Sequence, residues 1–173
     1  IKGLYIGDTI RDNQGLFGVN KGAIKNVIMA EGGITAKSTF GMICGYNNGG
    51  IIENCSVSGY VAGVNGSKQM GGICGFNDAN GRISDCSYED KDGDSSRILL
   101  RKSSESSELI GGICGQNNAI ITRCYNTVMV DGISQGGVNM GGICGSGSEI
   151  SKVSLCYNTG LVTGTSGGTG GII

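Results

Sequence analysis

Short apolar runs separated by glycine and asparagine make up most of the chain. The clearest run is Gly-Gly-Ile-Cys-Gly at 71–75, 111–115 and 141–145, with a variant at 41–45 and a degenerate form, Gly-Leu-Phe-Gly, at 15–18. Short apolar runs bounded by turn residues predict β-strands. Helices are disfavoured because each internal glycine costs a helix roughly 0.5–1 kcal/mol relative to alanine. We therefore expect an all-β protein.

These runs recur at a nearly fixed interval. Their closing glycines stand at 18, 45, 75, 115 and 145, at spacings of 27, 30, 40 and 30 residues. Units of this length cannot bury an apolar face alone, but stacked copies can. We predict a parallel β-solenoid (β-helix) of about five ~30-residue repeats with one inserted loop. The chain 1–173 then forms a single solenoid, with repeats at about 1–30, 31–60, 61–100, 101–130 and 131–163, a partial repeat at 164–173 and an insertion at 88–110.

Stacked identical units should place like residues in ladders along the solenoid. One predicted ladder contains Asn20, Asn47, Asn77 and Asn117, and a tyrosine ladder is predicted from Tyr88, Tyr125 and Tyr157. An apolar residue also stands three positions before the second cysteine position of each unit, at Ile24, Ile52, Ile83, Ile121 and Val153. Residues three apart on a straight strand face opposite sides, so we expect a corner or bulge between the two.

Eight cysteines fall as one pair in each of four units. They are Cys44, Cys55, Cys74, Cys86, Cys114, Cys124, Cys144 and Cys156. The first unit has Phe17 and Val27 at the two positions, so both thiols are lost together, which favours disulfides within a unit (44–55, 74–86, 114–124 and 144–156) and a buried apolar setting. Free buried thiols are the alternative. A metal site is a third reading, disfavoured because the chain has no histidine and no Cys-x-x-Cys motif.

Composition narrows the range of functions. The net charge is −1 with no long basic run, so we expect neither nucleic-acid binding nor membrane insertion. The chain has 35 glycines and neither proline nor tryptophan, which leaves a thin aliphatic core that suits a solenoid. Without histidine, and with acidic residues clustered only in the insertion, we expect no catalytic residues, no cofactor and no enzyme. The unfinished repeat at 170–173 suggests a fragment with an open edge, capable of end-to-end or edge association.

The repeated blocks resemble the GLUG-motif repeats of bacterial secreted and cell-surface proteins. The residues that carry the resemblance are 15–22, and Gly-Gly-Ile-Cys-Gly-x-Asn followed by Cys-Tyr-Asn-Thr-Gly; it extends from about 15 to 173 apart from the insertion. Such repeats occur in adhesin-like proteins and beside the protease domain of some immunoglobulin A peptidases. The resemblance implies a non-catalytic structural or adhesive segment, extracellular or at the cell surface. Family repeats usually have an aliphatic residue at the first cysteine position, so the paired cysteines are a departure.

The insertion at 88–110 carries the other candidate sites. A solvated, partly disordered loop is the favoured interpretation of this segment, because it is rich in charged residues. The alternative is a binding loop, which insertions in solenoids often form, with a host protein or a glycan as the candidate partner. The apolar runs 98–100 and 109–110 could form a protruding hairpin. Asp90, Asp92 and Asp94 have the alternating spacing of a calcium loop. However, Ser95 replaces the glycine of such a loop and Arg101 replaces its glutamate, which weakens the calcium interpretation.

Overall fold

The computed structural model describes residues 1–78, 80–91, 96–103, 108–134, 137–165 and 167–172. Within these ranges the chain forms strands and turns and no helix, which confirms the all-β prediction. The strands are β1 (Tyr5–Asp8), β2 (Phe17–Asn20), β3 (Ala23–Lys25), β4 (Ile28–Gly41), β5 (Cys44–Asn48), β6 (Ile51–Glu53), β7 (Ser56–Gly71), β8 (Cys74–Asp78), β9 (Arg82–Ser84), β10 (Ser87–Tyr88), β11 (Arg97–Ser103), β12 (Glu108–Gly111), β13 (Cys114–Asn117), β14 (Ile120–Thr122), β15 (Tyr125–Asn126), β16 (Met129–Ser134), β17 (Val138–Gly141), β18 (Cys144–Gly147), β19 (Lys152–Ser154), β20 (Tyr157–Asn158), β21 (Val162–Gly164) and β22 (Thr169–Gly170).

Parallel strands stack into three sheets that wrap around one core. One sheet has the order β18-β13-β8-β5-β2, a second has the order β19-β14-β9-β6-β3, and the remaining 12 strands form the third. Each turn of the solenoid, called a coil here, adds one strand to each of the two five-stranded sheets. The pairing is in register, so that Ile52 lies opposite Ile83, and Ile83 opposite Ile121. The predicted parallel β-solenoid of about five coils is confirmed.

A left-handed residue turns the chain between the second and third sheets. In the second coil, Asn54 has a φ of 52° and stands between two buried residues, Ile52 and Cys55. The reversal at Asn54 lets both neighbours point inward, which confirms the corner predicted from the sequence. Asparagine tolerates this conformation better than most residues. The equivalent positions with positive φ are Asn26, Asn54, Asp85, Arg123 and Leu155.

Glycine is required where the third sheet bends into the first. Gly71 lies opposite Gly41 on one side and Gly111 on the other. A Cβ on Gly71 would collide with the carbonyl oxygen of Cys74 in the following turn. The same collision would occur at Gly111 with Cys114. The repeated Gly-Gly-x-Cys block is therefore a steric requirement of the bend.

The core consists of columns of like side chains. Ile43, Ile73, Ile113 and Ile143 are completely buried, as are the central members of the column Ile52, Ile83 and Ile121. A third group combines larger side chains, Phe40, Met70, Ile110 and Met140, which face each other in register. Each side chain packs mainly on its equivalents one coil away, so the thin core predicted from the composition is filled by repetition.

The insertion is built differently from the prediction. Arg97 and Ile98 in β11 lie opposite Tyr60 and Val61 in β7, and β16 pairs on the other side of β11. Ile98, Leu100 and Ile110 are completely buried. The predicted protruding hairpin is therefore wrong, because this segment contributes a regular strand to the third sheet.

Candidate functional site

A buried ladder of asparagines runs along the first sheet. Nδ2 of Asn20 donates to Oδ1 of Asn47 at 2.8 Å, Asn47 donates in the same way to Asn77 at 2.7 Å, and Asn77 to Asn117 at 2.8 Å. Asn47 also donates to the carbonyl oxygen of Gly50 at 2.8 Å, across the corner that follows β5. The predicted ladder is confirmed, and its amides hold together both the coils and their corners.

The eight cysteines form two columns along the solenoid. The first cysteine column contains Cys44, Cys74, Cys114 and Cys144, whose Cα atoms are in register in the first sheet. The second cysteine column contains Cys55, Cys86, Cys124 and Cys156, each at the corner that opens the third sheet. Seven of the thiols are buried, and Cys156 is half-buried. All eight are free thiols in the structure, so the within-unit disulfides predicted from the spacing are not present in it.

The surroundings of the cysteines shift the pKa values of several thiols. Burial is the main cause that raises the pKa of Cys144, to about 11, and it also raises the pKa of Cys74 and Cys114. In the second column, hydrogen bonds from Cys156 and Cys86 lower the pKa of Cys124. The backbone N–H of Cys124 additionally donates to Sγ of Cys156 at 3.4 Å.

In the first coil, residues other than cysteine occupy the positions of both cysteine columns. Phe17 lies opposite Cys44, as the alignment of the repeat units in the sequence predicted. Its side chain is nevertheless 43% exposed, so the prediction that this position is buried is wrong for Phe17. Val27 takes the place of Cys55 and packs partly buried against the core. Among the described residues, Phe17 lies in an edge strand of the first sheet and pairs with Cys44 on one side.

The predicted tyrosine ladder holds for two of its three members. The rings of Tyr125 and Tyr157 stack with centroids 5.0 Å apart and planes 1° from parallel. Tyr88 instead lies opposite Asn126, one residue out of step, and is completely buried. Its hydroxyl donates to the carbonyl oxygen of Gly59 at 2.6 Å. Tyr88 is a core residue, since a one-residue offset turns a strand side chain to the opposite face.

Beside the tyrosine stack lies a shallow groove with a volume of about 370 Å³. Glu89 is its central acidic group: Oε1 accepts hydrogen bonds from Ser87 at 2.5 Å and from the Tyr125 hydroxyl at 2.7 Å. Burial alone would raise the pKa of Glu89, but these hydrogen bonds and the nearby charge of Lys91 together hold the pKa below its ordinary value. Asn26 and Asn54 line the same groove, where Asn54 Nδ2 donates to Asn26 Oδ1 at 2.7 Å. The groove therefore presents amide, hydroxyl and carboxylate groups next to an aromatic ring.

Two charged features were not anticipated from the sequence. Arg123 forms a bidentate ion pair with Asp85, with both N–O distances at 2.6 Å. The arginine holds the pKa of Asp85 below its usual range. Glu108 is completely buried, and within the described ranges neither carboxyl oxygen has a hydrogen-bond partner. The corner spacing that aligns residue 85 with residue 123 could have revealed the ion pair, but no sequence signal marked Glu108.

The calcium candidate can be placed only in part. Asp90 is exposed, and its backbone N–H donates to Oγ1 of Thr127 at 3.2 Å. Asp92 and Asp94 lie outside the described residues. Among the residues that the structure does describe, no group of three or more Cys, Asp or Glu side chains is placed to hold a metal ion.

The described ranges contain no helix of sufficient length and apolar character to cross a bilayer. Compared with known proteins, the chain matches no family model, no curated protein and no solved structure.

Proposed function

We propose that this chain is a non-catalytic structural and adhesive repeat segment of a secreted or cell-surface bacterial protein. The observation that carries the proposal is the in-register stacking of the first and second sheets, in which side-chain ladders continue from coil to coil. Such an architecture converts a short repeat into a stiff, repetitive surface. The motif-level resemblance to GLUG repeats supports the same role.

The distribution of polar groups also supports a non-catalytic role. The buried amides of Asn47 and Asn77 are hydrogen-bonded to each other and to the asparagines of the next coils on either side, so they are occupied in holding coils together. In the groove, Glu89 is engaged by Ser87 and Tyr125, and its pKa is lowered. A general acid requires a raised pKa, so Glu89 is poorly suited to that task.

The adhesive role is tested by coating beads with the chain and measuring their retention on epithelial monolayers under flow. Beads coated with an unrelated soluble protein of the same net charge provide the control. Greater retention of the solenoid-coated beads is the expected result. Equal retention would contradict the adhesive part of the proposal, and release of sugars from a panel of polysaccharides would contradict the non-catalytic part.

A second candidate function is glycan binding. The sequence analysis assigned such binding to the 88–110 insertion, and the structure offers a groove that includes the start of that insertion. The observation that favours it is the groove, where Glu89 from the start of the insertion meets Tyr125 and the amides of Asn26 and Asn54. Planar polar groups beside an aromatic ring suit a sugar, whose hydroxyls need partners and whose ring faces are apolar. Protein binding by the insertion is the other form of this candidate.

A glycan array tests the groove directly. Binding that is lost in Tyr125→Ala and retained in Tyr46→Ala would support it. Tyr46 is a matched control because it also stacks on an aromatic ring, that of Phe76, at 5.2 Å, but lies outside the groove. Equal binding by both variants would assign any glycan contact to another surface.

A further inference from the structure

Both cysteine columns place like residues directly across from each other in adjacent coils. In the first column, Cys44 and Cys114 are both Cα partners of Cys74. Neighbouring strands of a sheet lie about 4.8 Å apart. That spacing falls within the range of roughly 4.4–6.8 Å that disulfides span between Cα atoms. The backbone therefore already meets the main distance requirement for a bridge between coils.

The second column has the same property at the corner. The residues immediately after its cysteines are in register, with Ser56 opposite Ser87 and Tyr125 opposite Tyr157. The backbone N–H of Cys124 donates to Sγ of Cys156 at 3.4 Å, so these two cysteines of neighbouring coils are already in contact.

Cysteines of the same coil occupy different sides of the core. Cys44 begins β5 in the first sheet, whereas Cys55 follows β6 in the second sheet, at the corner that opens the third. Their thiols also bond in opposite directions along the chain. First-column thiols donate to the carbonyl two residues later, as Cys114 does to Gln116 at 3.0 Å, and second-column thiols to the carbonyl two residues earlier, as Cys86 does to Ser84 at 3.1 Å.

We propose that the cysteines are a disulfide-forming site that links neighbouring coils, and that oxidation joins Cys44 to Cys74, Cys114 to Cys144, Cys55 to Cys86 and Cys124 to Cys156. Joining the first cysteine of a column to the second, and the third to the fourth, is the one pairing of adjacent cysteines that uses all four thiols of the column. A bridge between the two central cysteines would leave both outer thiols unpaired.

The oxidant is a small-molecule disulfide. A thiolate of one coil attacks the small disulfide, forms a mixed disulfide and releases one small thiol. The facing cysteine then attacks the protein sulfur of that mixed disulfide, closes the bridge between coils and releases the second small thiol. Each bridge forms one sulfur–sulfur bond in the protein, and the two protons and two electrons leave with the two small thiols.

Access to the thiols gives the reaction an order. Cys156 is half-buried, while its partner Cys124 is completely buried beneath it. A dissolved disulfide can reach Cys156 in the folded chain, so the Cys124–Cys156 bridge forms first. The remaining pairs are buried and require transient opening of the solenoid, which makes their oxidation slower.

Peptide mapping after oxidation with glutathione disulfide distinguishes the possible linkages. After trapping of residual thiols, trypsin would release peptide 38–68 with Cys44 and Cys55, peptide 69–82 with Cys74, and peptide 83–91 with Cys86. We expect 38–68 to be joined to both other peptides, and the intact protein to be lighter by eight hydrogen atoms. An internally closed 38–68, together with 69–82 joined to 83–91, would show linkage within a coil and overturn the proposal. Eight thiols that stay alkylatable after prolonged oxidation would overturn it too.

The variant Cys156→Ala provides an independent test, and its site is tolerant because the side chain is half-buried. Linkage between coils leaves Cys124 as the alkylated residue, whereas linkage within a coil leaves Cys144. Fragment spectra locate the label on one of the two. A label on Cys144 refutes the assignment even if the other bridges cannot be mapped. In the unmodified chain, Cys124 and Cys156 should lose reactivity with an alkylating reagent before the other thiols.

Discussion

Asn77 donates a hydrogen bond from Nδ2 to Oδ1 of Asn117 at 2.8 Å, although 40 residues separate the two in sequence. The same side chain accepts a hydrogen bond from Asn47 at 2.7 Å. Asn77 therefore joins three successive coils from a completely buried position.

Replacing Asn77 with alanine should lower the free energy of unfolding by about 2–3 kcal/mol, because a buried donor on Asn47 and a buried acceptor on Asn117 lose their partner. Urea unfolding followed by circular dichroism measures the loss. Asn48→Ala is the matched control, since Asn48 directly follows the ladder residue Asn47 in β5 and is half-buried. This variant should change the free energy of unfolding by less than about 0.5 kcal/mol. Similar losses in the two variants would show that the ladder does not stabilise the fold.

Neighbouring isoleucines in β14 allow a direct test of the core. Ile121 is completely buried and Ile120 is 38% exposed. Ile121→Ala should cost about 3 kcal/mol through lost burial and a residual cavity. Ile120→Ala should cost less than about 1 kcal/mol, because much of its side chain already contacts water. Chemical denaturation of both variants measures the difference, and a reversed order would mean that the strand faces the other way.

Leu155 occupies a corner at which asparagine is better suited. Its φ is 54°, and its side chain is 78% exposed. Leu155→Asn should raise the free energy of unfolding by about 1 kcal/mol, because asparagine adopts left-handed backbone angles at lower cost. Leu161→Asn is the control, since Leu161 is also exposed but is absent from the positive-φ positions. Thermal unfolding of both should show a gain confined to position 155.

The ion pair between Asp85 and Arg123 predicts a pH effect. Because the folded-state pKa of Asp85 is lowered, its contribution is present above the ordinary aspartate pKa of about 3.9 and is lost as the pH falls through the lower folded value. Wild type should exceed Asp85→Asn in stability by at most about 1 kcal/mol at pH 7, since both side chains are partly exposed.

At pH 2 the two proteins should have equal stability, since a protonated aspartate resembles asparagine. Urea titrations at both pH values measure the difference, and 1 M NaCl at pH 7 should reduce it by screening. A difference that persists at pH 2 would assign the effect to packing at the corner.

The structural features that repeat in each coil could be predicted from the sequence. The glycine spacing predicted the number of coils, and the asparagine ladder followed from its position within each unit. The corner at Asn54 followed from two inward positions three residues apart. These predictions succeeded because register in a solenoid is set by many equivalent side chains that all favour the same alignment.

Features that occur once were predicted less well. Tyr88 follows Cys86 by two residues, whereas Tyr125 follows Cys124 by one, and counting from the cysteines would have placed Tyr88 in the core. The strand at 97–103 was obscured by charged residues on both sides, although Ile98 and Leu100 alternate as a half-buried strand requires. Like cysteines face each other in adjacent coils through the same stacking that forms the asparagine ladder, whereas the disulfide prediction rested on the pairing of cysteines within each unit.

The stacking of coils also determines how the molecule would respond to tension. Hydrogen bonds such as that from the backbone N–H of Ile73 to the carbonyl oxygen of Ile113 run along the solenoid and link only adjacent coils. A pull on the two ends would therefore detach one coil at a time, and each would release ~30 residues, or roughly 100 Å of extended chain. The solenoid would then act as an extensible spring that yields in steps, and bridges between coils would set which steps can open.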